Sequence, residues 1–132
     1  MIAELTIHTK TRTEFIDITR DVQSLINNEG FDKGFVFLFN SHTTAGLTIN
    51  EGADPAVRSD ILNALLKLVP HHGGYSHLEG NADAHIKATL TGSSLWIAVE
   101  NGSLVLGRWQ SVFFCEYDGP RTRRVFVKFL SE

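Results

Sequence analysis

The sequence predicts an α+β domain made mostly of antiparallel β-sheets, with two or three helices packed on them. Three observations support this prediction. Strand-like segments occupy both ends of the chain, helical patterns occupy its middle, and no strand–helix–strand unit is repeated. No internal repeat or long Pro/Gly/Ser linker divides the chain, so we expect residues 1–132 to form a single domain.

The first third of the chain predicts strands around one short helix. Residues 4–18 alternate imperfectly between apolar and polar side chains, which predicts two strands joined as a hairpin. Thr19 is the expected cap of the helix, and Gly30 is expected to end it because glycine enters the left-handed region without steric cost. Residues 35–39 are apolar at every position, which predicts a central strand covered on both faces. Residues 45–49 predict another strand.

A second helix has clear signals at its start and its end. Asp54 can cap it and Pro55 occupies the first helical position, where its missing N–H has no cost. Pro70 marks the end. The apolar stripe expected to face the core consists of Val57, Ile61, Leu65 and Leu68.

Residues 81–91 predict a third helix, with Ile86 and Leu90 facing the core. The rest of the chain predicts strands over residues 94–99, 104–106, 110–117 and 123–130.

Composition and charge exclude several classes of protein. The chain has 132 residues, of which 42% are hydrophobic, so it can bury a core without disulfides or a structural metal. A net charge of -3 argues against binding to a nucleic-acid backbone. No apolar run is long enough to span a membrane, and a reducing cytoplasm is the expected location. Cys115, the only cysteine, is expected to be a small buried apolar residue, and any metal must use nitrogen and oxygen ligands.

The histidines are unevenly distributed. Four of the six, His71, His72, His77 and His85, fall within fifteen residues. Histidine nitrogens and the neighbouring carboxylates are the ligands expected for zinc or a similar cation. The spacing matches no recognised metal signature, however, and a hydrophilic loop is the alternative. His71 and His72 precede two glycines and are expected to be exposed.

Three other segments carry polar chemistry. The run from Ser41 to Thr44 can bind a phosphate or supply a metal nitrogen; its alternative is a polar turn that satisfies its own backbone. Glu51, which has no evident structural duty, can be a general base or a magnesium ligand. Arg108 can recognise an anion, as can the later arginines 121, 123 and 124, although a terminal charged strand usually lies on a solvated face.

Five blocks of the sequence carry distinctive runs of residues: 41–45, 47–51, 77–87, 102–110 and 116–121. Together they resemble the YjbQ-type family, whose members are often described as secondary thiamine-phosphate synthases. The order and spacing of the blocks match over essentially the whole chain. This combination is far more discriminating than any single short motif.

The resemblance implies a compact α+β fold that assembles as a homotrimer, with a polar pocket near a subunit boundary. It implies a divalent metal, zinc or magnesium, with three nitrogen ligands from His42, His77 and His85. It also implies catalytic roles for the acidic side chains Glu51, Glu79 and Asp83. The phosphate-binding candidates that accompany them are Thr43, Thr44, Lys87 and Arg108.

The implied reaction joins hydroxymethylpyrimidine diphosphate to thiazole phosphate and releases pyrophosphate. It requires stabilisation of the departing diphosphate and exclusion of water from an electron-poor intermediate. The expected partner is therefore a small phosphorylated substrate. Two alternatives remain from the residues alone: a metal- or anion-binding protein without a catalytic role, and a phosphate-ester hydrolase that uses a metal-bound water.

Overall fold

Eight strands and three helices follow one another in the computed structural model, which describes residues 2–132. The strands are β1 (Ala3–His8), β2 (Glu14–Asp17), β3 (Gly34–Asn40), β4 (Ala45–Glu51), β5 (Ser94–Glu100), β6 (Ser103–Leu104), β7 (Gln110–Glu116) and β8 (Thr122–Ser131). The helices are α1 (Thr19–Glu29), α2 (Pro55–Leu68) and α3 (Ala82–Thr91). All the strand pairings are antiparallel, and the predicted α+β class with three helices is confirmed.

The strands form two sheets. The five-stranded sheet has the order β1-β8-β3-β5-β6, and the three-stranded sheet has the order β2-β7-β4. The predicted opening hairpin is wrong, because β1 pairs with β8 whereas β2 pairs with β7 in the other sheet. An alternating pattern identifies a strand but does not identify its partner, and here both partners come from the C-terminal part of the chain.

The smaller sheet is buried on both faces. One face packs with α1 against the inner face of the five-stranded sheet, through residues such as Leu47, Val112 and Val36. The other face carries Phe15 and Phe113, on which α2 and α3 pack. The molecule is therefore layered as sheet, sheet and helices.

Helix ends follow the local signals only in part. The Asp54 carboxylate accepts a 2.9 Å hydrogen bond from the Ala56 N–H, as predicted. Gly30 ends α1 with φ +61°, also as predicted. The predicted cap at Thr19 is wrong: Thr19 is the first helical residue, and the preceding Asp17 accepts its N–H at 3.0 Å.

Three apolar residues of the helices that were predicted to face the core are instead exposed. Leu68 on α2 is 71% exposed. On α3, Ile86 and Leu90 face outward, while Asp83 and Lys87 are buried. Charged side chains take the inner face of α3 because they pair with each other there, at 3.0 Å, so neither charge is buried alone.

Strand β3 has one buried face and one exposed face, so its predicted coverage on both sides is not supplied by residues 2–132. Val36 and Leu38 point into the core. The opposite face carries aromatic rings that lie side by side on β3 and β5, and we call it the aromatic surface: Phe35, Phe37, Phe39 and Trp96.

Cys115 is fully buried, as predicted. Within residues 2–132, the helices are too short or too polar to cross a membrane.

Candidate functional site

A polar cleft of about 400 Å³ opens between the β3–β4 loop, the start of α3 and the β7–β8 connection. It is lined by Ser41, His42, Thr43, Thr44, Glu79, Asn81, His85, Asp118, Arg121 and Arg123. Distant parts of the chain thus meet at one place, and eight of the ten lining residues were singled out from the sequence. We refer to it as the polar cleft.

The shape of the β3–β4 loop is set by Asn40, the last residue of β3. Its buried side-chain amide donates to the backbone carbonyls of His42 and Ala45, at 3.2 and 2.7 Å. Its Oδ1 accepts the His42 N–H at 3.0 Å. An Asn side chain can replace backbone partners in a turn in this way, and the loop is held rigidly where it faces the cleft.

The His42 ring is fixed by a neighbouring strand. Its Nε2 accepts a 3.0 Å hydrogen bond from the backbone N–H of Arg124. Partial burial and the nearby positive charge of Arg123 lower the pKa of His42 below its ordinary value. The ring is therefore neutral at pH 7, with its proton on Nδ1 because Nε2 is the acceptor. Among described residues, no hydrogen bond engages Nδ1, so the cleft gains a donor there.

The floor of the polar cleft is a buried ion pair. The Arg123 guanidinium donates through two nitrogens to the Glu116 carboxylate and also to the Thr44 hydroxyl at 2.9 Å. The Thr9 hydroxyl donates to the same carboxylate at 2.8 Å. Burial raises the pKa of Glu116, but the Arg123 guanidinium and the other donors outweigh it and hold the pKa below its ordinary value. Arg123 is therefore buried, although a charged terminal strand usually lies on a solvated face.

Arg121 is the exposed cation of the cleft. Its guanidinium donates to the backbone carbonyl of Asp118 at 2.7 Å and to the Asp118 carboxylate at 3.0 Å. Asn81 donates to the same carboxylate at 2.9 Å, while its own Oδ1 is a buried acceptor without a partner in the described chain. Each guanidinium in the cleft thus faces a carboxylate, and the lining has no large excess of positive charge.

Two loop side chains, those of His77 and Glu79, lie next to His85. The rings of His77 and His85 are 5.3 Å apart, edge to face. His77 Nε2 lies 3.9 Å from a Glu79 carboxylate oxygen. His71 and His72 stack on each other instead, and the His71 ring contacts the Gly80 carbonyl. His72 is exposed as predicted, whereas His71 is half-buried.

The imidazole nitrogens of His77 and His85 and the carboxylate of Glu79 are donor types that suit a divalent cation. No hydrogen bond between described residues occupies the ring nitrogens of the two histidines. His42 fits less well in this arrangement, since the Arg124 N–H takes its Nε2 electron pair. Nowhere in residues 2–132 do three His, Cys, Asp or Glu side chains already surround a common position. Binding a cation would require the exposed Glu79 and His77 side chains to turn toward His85.

Several predicted site residues lie elsewhere. Asp83 and Lys87 pair with each other beneath α3. Glu51 is at the opposite end of β4 from the β3–β4 loop, about 20 Å away at the usual rise of a strand. Its carboxylate accepts the Ala53 and Asp54 N–H groups, so it has a structural duty after all. Arg108 stacks over the Trp109 ring at 4.7 Å and does not line the cleft.

The structure adds two polar residues to the cleft that the sequence analysis did not single out, Asn81 and Asp118. Both fall inside the sequence blocks that carry the family resemblance. That was the available signal, because neither Asn81 nor Asp118 belongs to a recognisable chemical motif.

The fold and the polar cleft define a class of small α+β proteins with a histidine- and arginine-lined cleft at the junction of two antiparallel sheets. The chain belongs to the YjbQ (UPF0047) family: residues 3–132 match the family described as UPF0047 protein YjbQ-like. The UPF0047 protein MJ1081 of Methanocaldococcus jannaschii is 45% identical over 132 residues, covering 100% of this chain and 96% of that protein. The UPF0047 protein YugU of Bacillus subtilis is 45% identical over 131 residues, covering 98% and 99%.

Solved structures agree with the fold. A crystal structure of a YjbQ/UPF0047-family protein from Clostridium acetobutylicum is 51% identical, covers 97% of this chain and 99% of that one, and superposes with a TM-score of 0.94. A protein from Aeropyrum pernix is only 34% identical and still gives a TM-score of 0.94 over 100% of this chain and 99% of that one.

Proposed function

We propose that the polar cleft binds small phosphorylated substrates and that the protein is a thiamine-phosphate synthase-like transferase. It would join hydroxymethylpyrimidine diphosphate to thiazole phosphate with release of pyrophosphate. The observation that carries this proposal is the convergence in one cleft of the His42 ring, the β3–β4 hydroxyls and the Arg121 guanidinium. A cytoplasmic location, where such substrates occur, is part of the proposal.

The reaction breaks the bond between the pyrimidine methylene carbon and a diphosphate oxygen. Negative charge accumulates on the departing diphosphate, so donors aimed at its oxygens lower the barrier. Arg121 offers charge-assisted hydrogen bonds, Thr43 offers a hydroxyl and His42 offers its Nδ1–H. Arg123 is already engaged by Glu116 and acts by holding Thr44 in place.

A divalent cation, zinc or magnesium, fits the charge balance of the cleft. Because the guanidiniums face carboxylates, a diphosphate needs additional positive charge, which a cation held by His77, Glu79 and His85 would supply. The buried Oδ1 of Asn81 is the matching acceptor for an N–H or O–H group of the substrate.

The experiment is a synthase assay with both precursors, in which thiamine phosphate is measured by chromatography with magnesium or zinc present and after chelation. Wild-type protein should form product, and chelation should abolish the activity. Arg121→Ala should lower the rate by about tenfold to a hundredfold, the usual effect of losing one charged hydrogen bond. Arg20→Ala, an exposed arginine on α1, is the matched control and should leave the rate unchanged. Absence of product from the metal-loaded wild type would reject the transferase.

A binding role without turnover is the second candidate. It is favoured by the positions of Glu51 and Asp83, which leave only one of the three predicted catalytic carboxylates, Glu79, in the cleft. Stoichiometric binding of pyrophosphate without product formation would support this role. Release of inorganic phosphate from simple esters would instead indicate hydrolysis.

We also propose that the chain assembles as a homotrimer through the aromatic surface. Its rings of Phe35 and Trp96 are 50% and 57% exposed in the single chain and are contiguous with Phe37. Monomeric proteins rarely leave such a contiguous apolar patch in water. The family resemblance implies that the covering partner is a second copy of this chain.

A further inference from the structure

A second compartment adjoins the polar cleft on the other side of the two histidines. It measures about 420 Å³, and His42, Thr43 and His85 line both spaces. The rest of its lining is Ala45, Ala88, Thr89, Gly92 and Ser93. We call it the small-residue compartment, because beyond the three shared residues it contains no side chain larger than threonine.

Close packing between α3 and β4 makes the floor of this compartment. A Cβ atom built on Gly46 would lie 2.8 Å from the Thr91 Cβ and 2.9 Å from the Gly92 carbonyl oxygen. The Gly92 carbonyl also accepts the Leu47 N–H at 3.0 Å. The helix end therefore sits directly on the strand, and the floor consists of backbone and the methyl groups of Ala45 and Ala88.

The two compartments differ in chemistry. The polar cleft contains two guanidiniums and three carboxyl or amide groups, whereas no Asp, Glu, Lys or Arg side chain lines the small-residue compartment. The His42 and His85 rings border it and are aromatic groups on which another ring can stack. A ligand that fills both spaces is therefore ionic at one end and weakly polar at the other, and a flat ring at the weakly polar end can stack on either histidine.

We infer that the small-residue compartment binds the aromatic ring of a ligand whose phosphate group occupies the polar cleft. The inference rests on the proposed function, whose two substrates each carry a ring and a phosphate, and it assigns the ring of a substrate to this compartment. Ala88 becomes a specificity-determining position. It lies one helical turn after His85, so a larger side chain there would project into the ring space without reaching Arg121, which lines only the polar cleft.

The test compares phenyl phosphate with methyl phosphate, because both carry the same anionic group and only one carries a ring. Affinities are measured by titration calorimetry in magnesium-containing buffer. Wild-type protein should bind phenyl phosphate more tightly by about tenfold, the usual effect of burying a phenyl group. Ala88→Leu should remove that difference and leave methyl phosphate unaffected. Ala56→Leu, at an exposed helical alanine, is the matched control.

Ala88 also packs against the core beneath α2, so Ala88→Leu can disturb folding as well as binding. A second measurement therefore uses only the wild-type protein. In wild-type protein with labelled alanine methyl groups, phenyl phosphate should shift the resonances of Ala45 and Ala88, and methyl phosphate should not. Equal affinities for the two esters, or shifts confined to other alanines, would overturn the inference and leave the anion site standing. If neither ester nor pyrophosphate binds, both the inference and the proposed function are rejected.

Discussion

The Arg12 guanidinium donates two parallel hydrogen bonds, of 3.1 and 3.0 Å, to the Asp83 carboxylate. This contact ties the connection between β1 and β2 to the first turn of α3. Lys87 approaches the same carboxylate from the next turn at 3.0 Å. Since Asp83 is completely buried, it anchors the helix that presents His85 to the polar cleft.

Asp83→Asn should destabilise the protein by about 3 kcal/mol, because it leaves the buried Lys87 without a counter-charge. Urea unfolding followed by circular dichroism measures the change. Asp60→Asn, at an exposed position on α2, is the control and should have little effect. If Asp83→Asn instead abolished activity at unchanged stability, the carboxylate would be catalytic, as the family resemblance implies, rather than an anchor.

Glu116 should make the protein sensitive to acid. Its pKa in the folded state lies below its ordinary value, so the unfolded chain binds the proton more readily. The stabilisation is fully present above the unfolded pKa, about 4.3 for glutamate. It is lost as the pH falls through the folded pKa. Urea midpoints measured between pH 7 and pH 3 should drop for wild type and drop less steeply for Glu116→Gln, which has no charge to lose. Identical slopes would contradict this assignment.

The Cys115 thiol should not react with alkylating reagents in the folded protein. Burial raises the pKa of its thiol, and the side chain has no exposed surface. Iodoacetamide at pH 8 should leave the native chain unmodified by mass spectrometry and should add one group after denaturation in urea. Rapid modification under native conditions would show that this part of the core opens readily.

Gly46→Ala should destabilise the protein by about 1–3 kcal/mol, because the added methyl group meets the Thr91 side chain and the Gly92 backbone. Thermal unfolding measures the loss. The matched control is Gly107→Ala, where the added Cβ meets the Gln110 side chain at 3.2 Å or more and no backbone atom as near, so stability should change less. Equal effects of the two substitutions would show that α3 is not held against β4 by the absence of a side chain.

Phe37→Asp should break the proposed homotrimer. The ring lies in the aromatic surface, against Trp96 at 4.7 Å, and a carboxylate there would be desolvated in an interface between copies. Light scattering coupled to size-exclusion chromatography should give three chain masses for wild type and one for the variant. Ser59→Asp, on the exposed side of α2, should leave the mass unchanged. A wild-type protein with the mass of one chain would reject the assembly.

Local patterns identified most elements of the fold. The Asp54–Pro55 start of α2 and the glycine end of α1 follow from short-range sterics and hydrogen bonding, and both are present. The polar run after β3 also lies where the sequence places it, facing a cleft. By contrast, the periodicity of α3 assigned Ile86 to the core and missed Asp83, because a pattern of apolar residues cannot show that a buried carboxylate has two cationic partners.

The sequence by itself determined the α+β class, the approximate positions of the helices and the family, since these depend on residue type and order along the chain. Only the tertiary structure decided which strands pair and which charges are buried. Thr9 and Arg123 are more than a hundred residues apart, yet both bind Glu116 beneath the cleft. Such contacts depend on how two sheets come together, and the energy of a buried charge depends entirely on the partners brought to it from elsewhere in the chain.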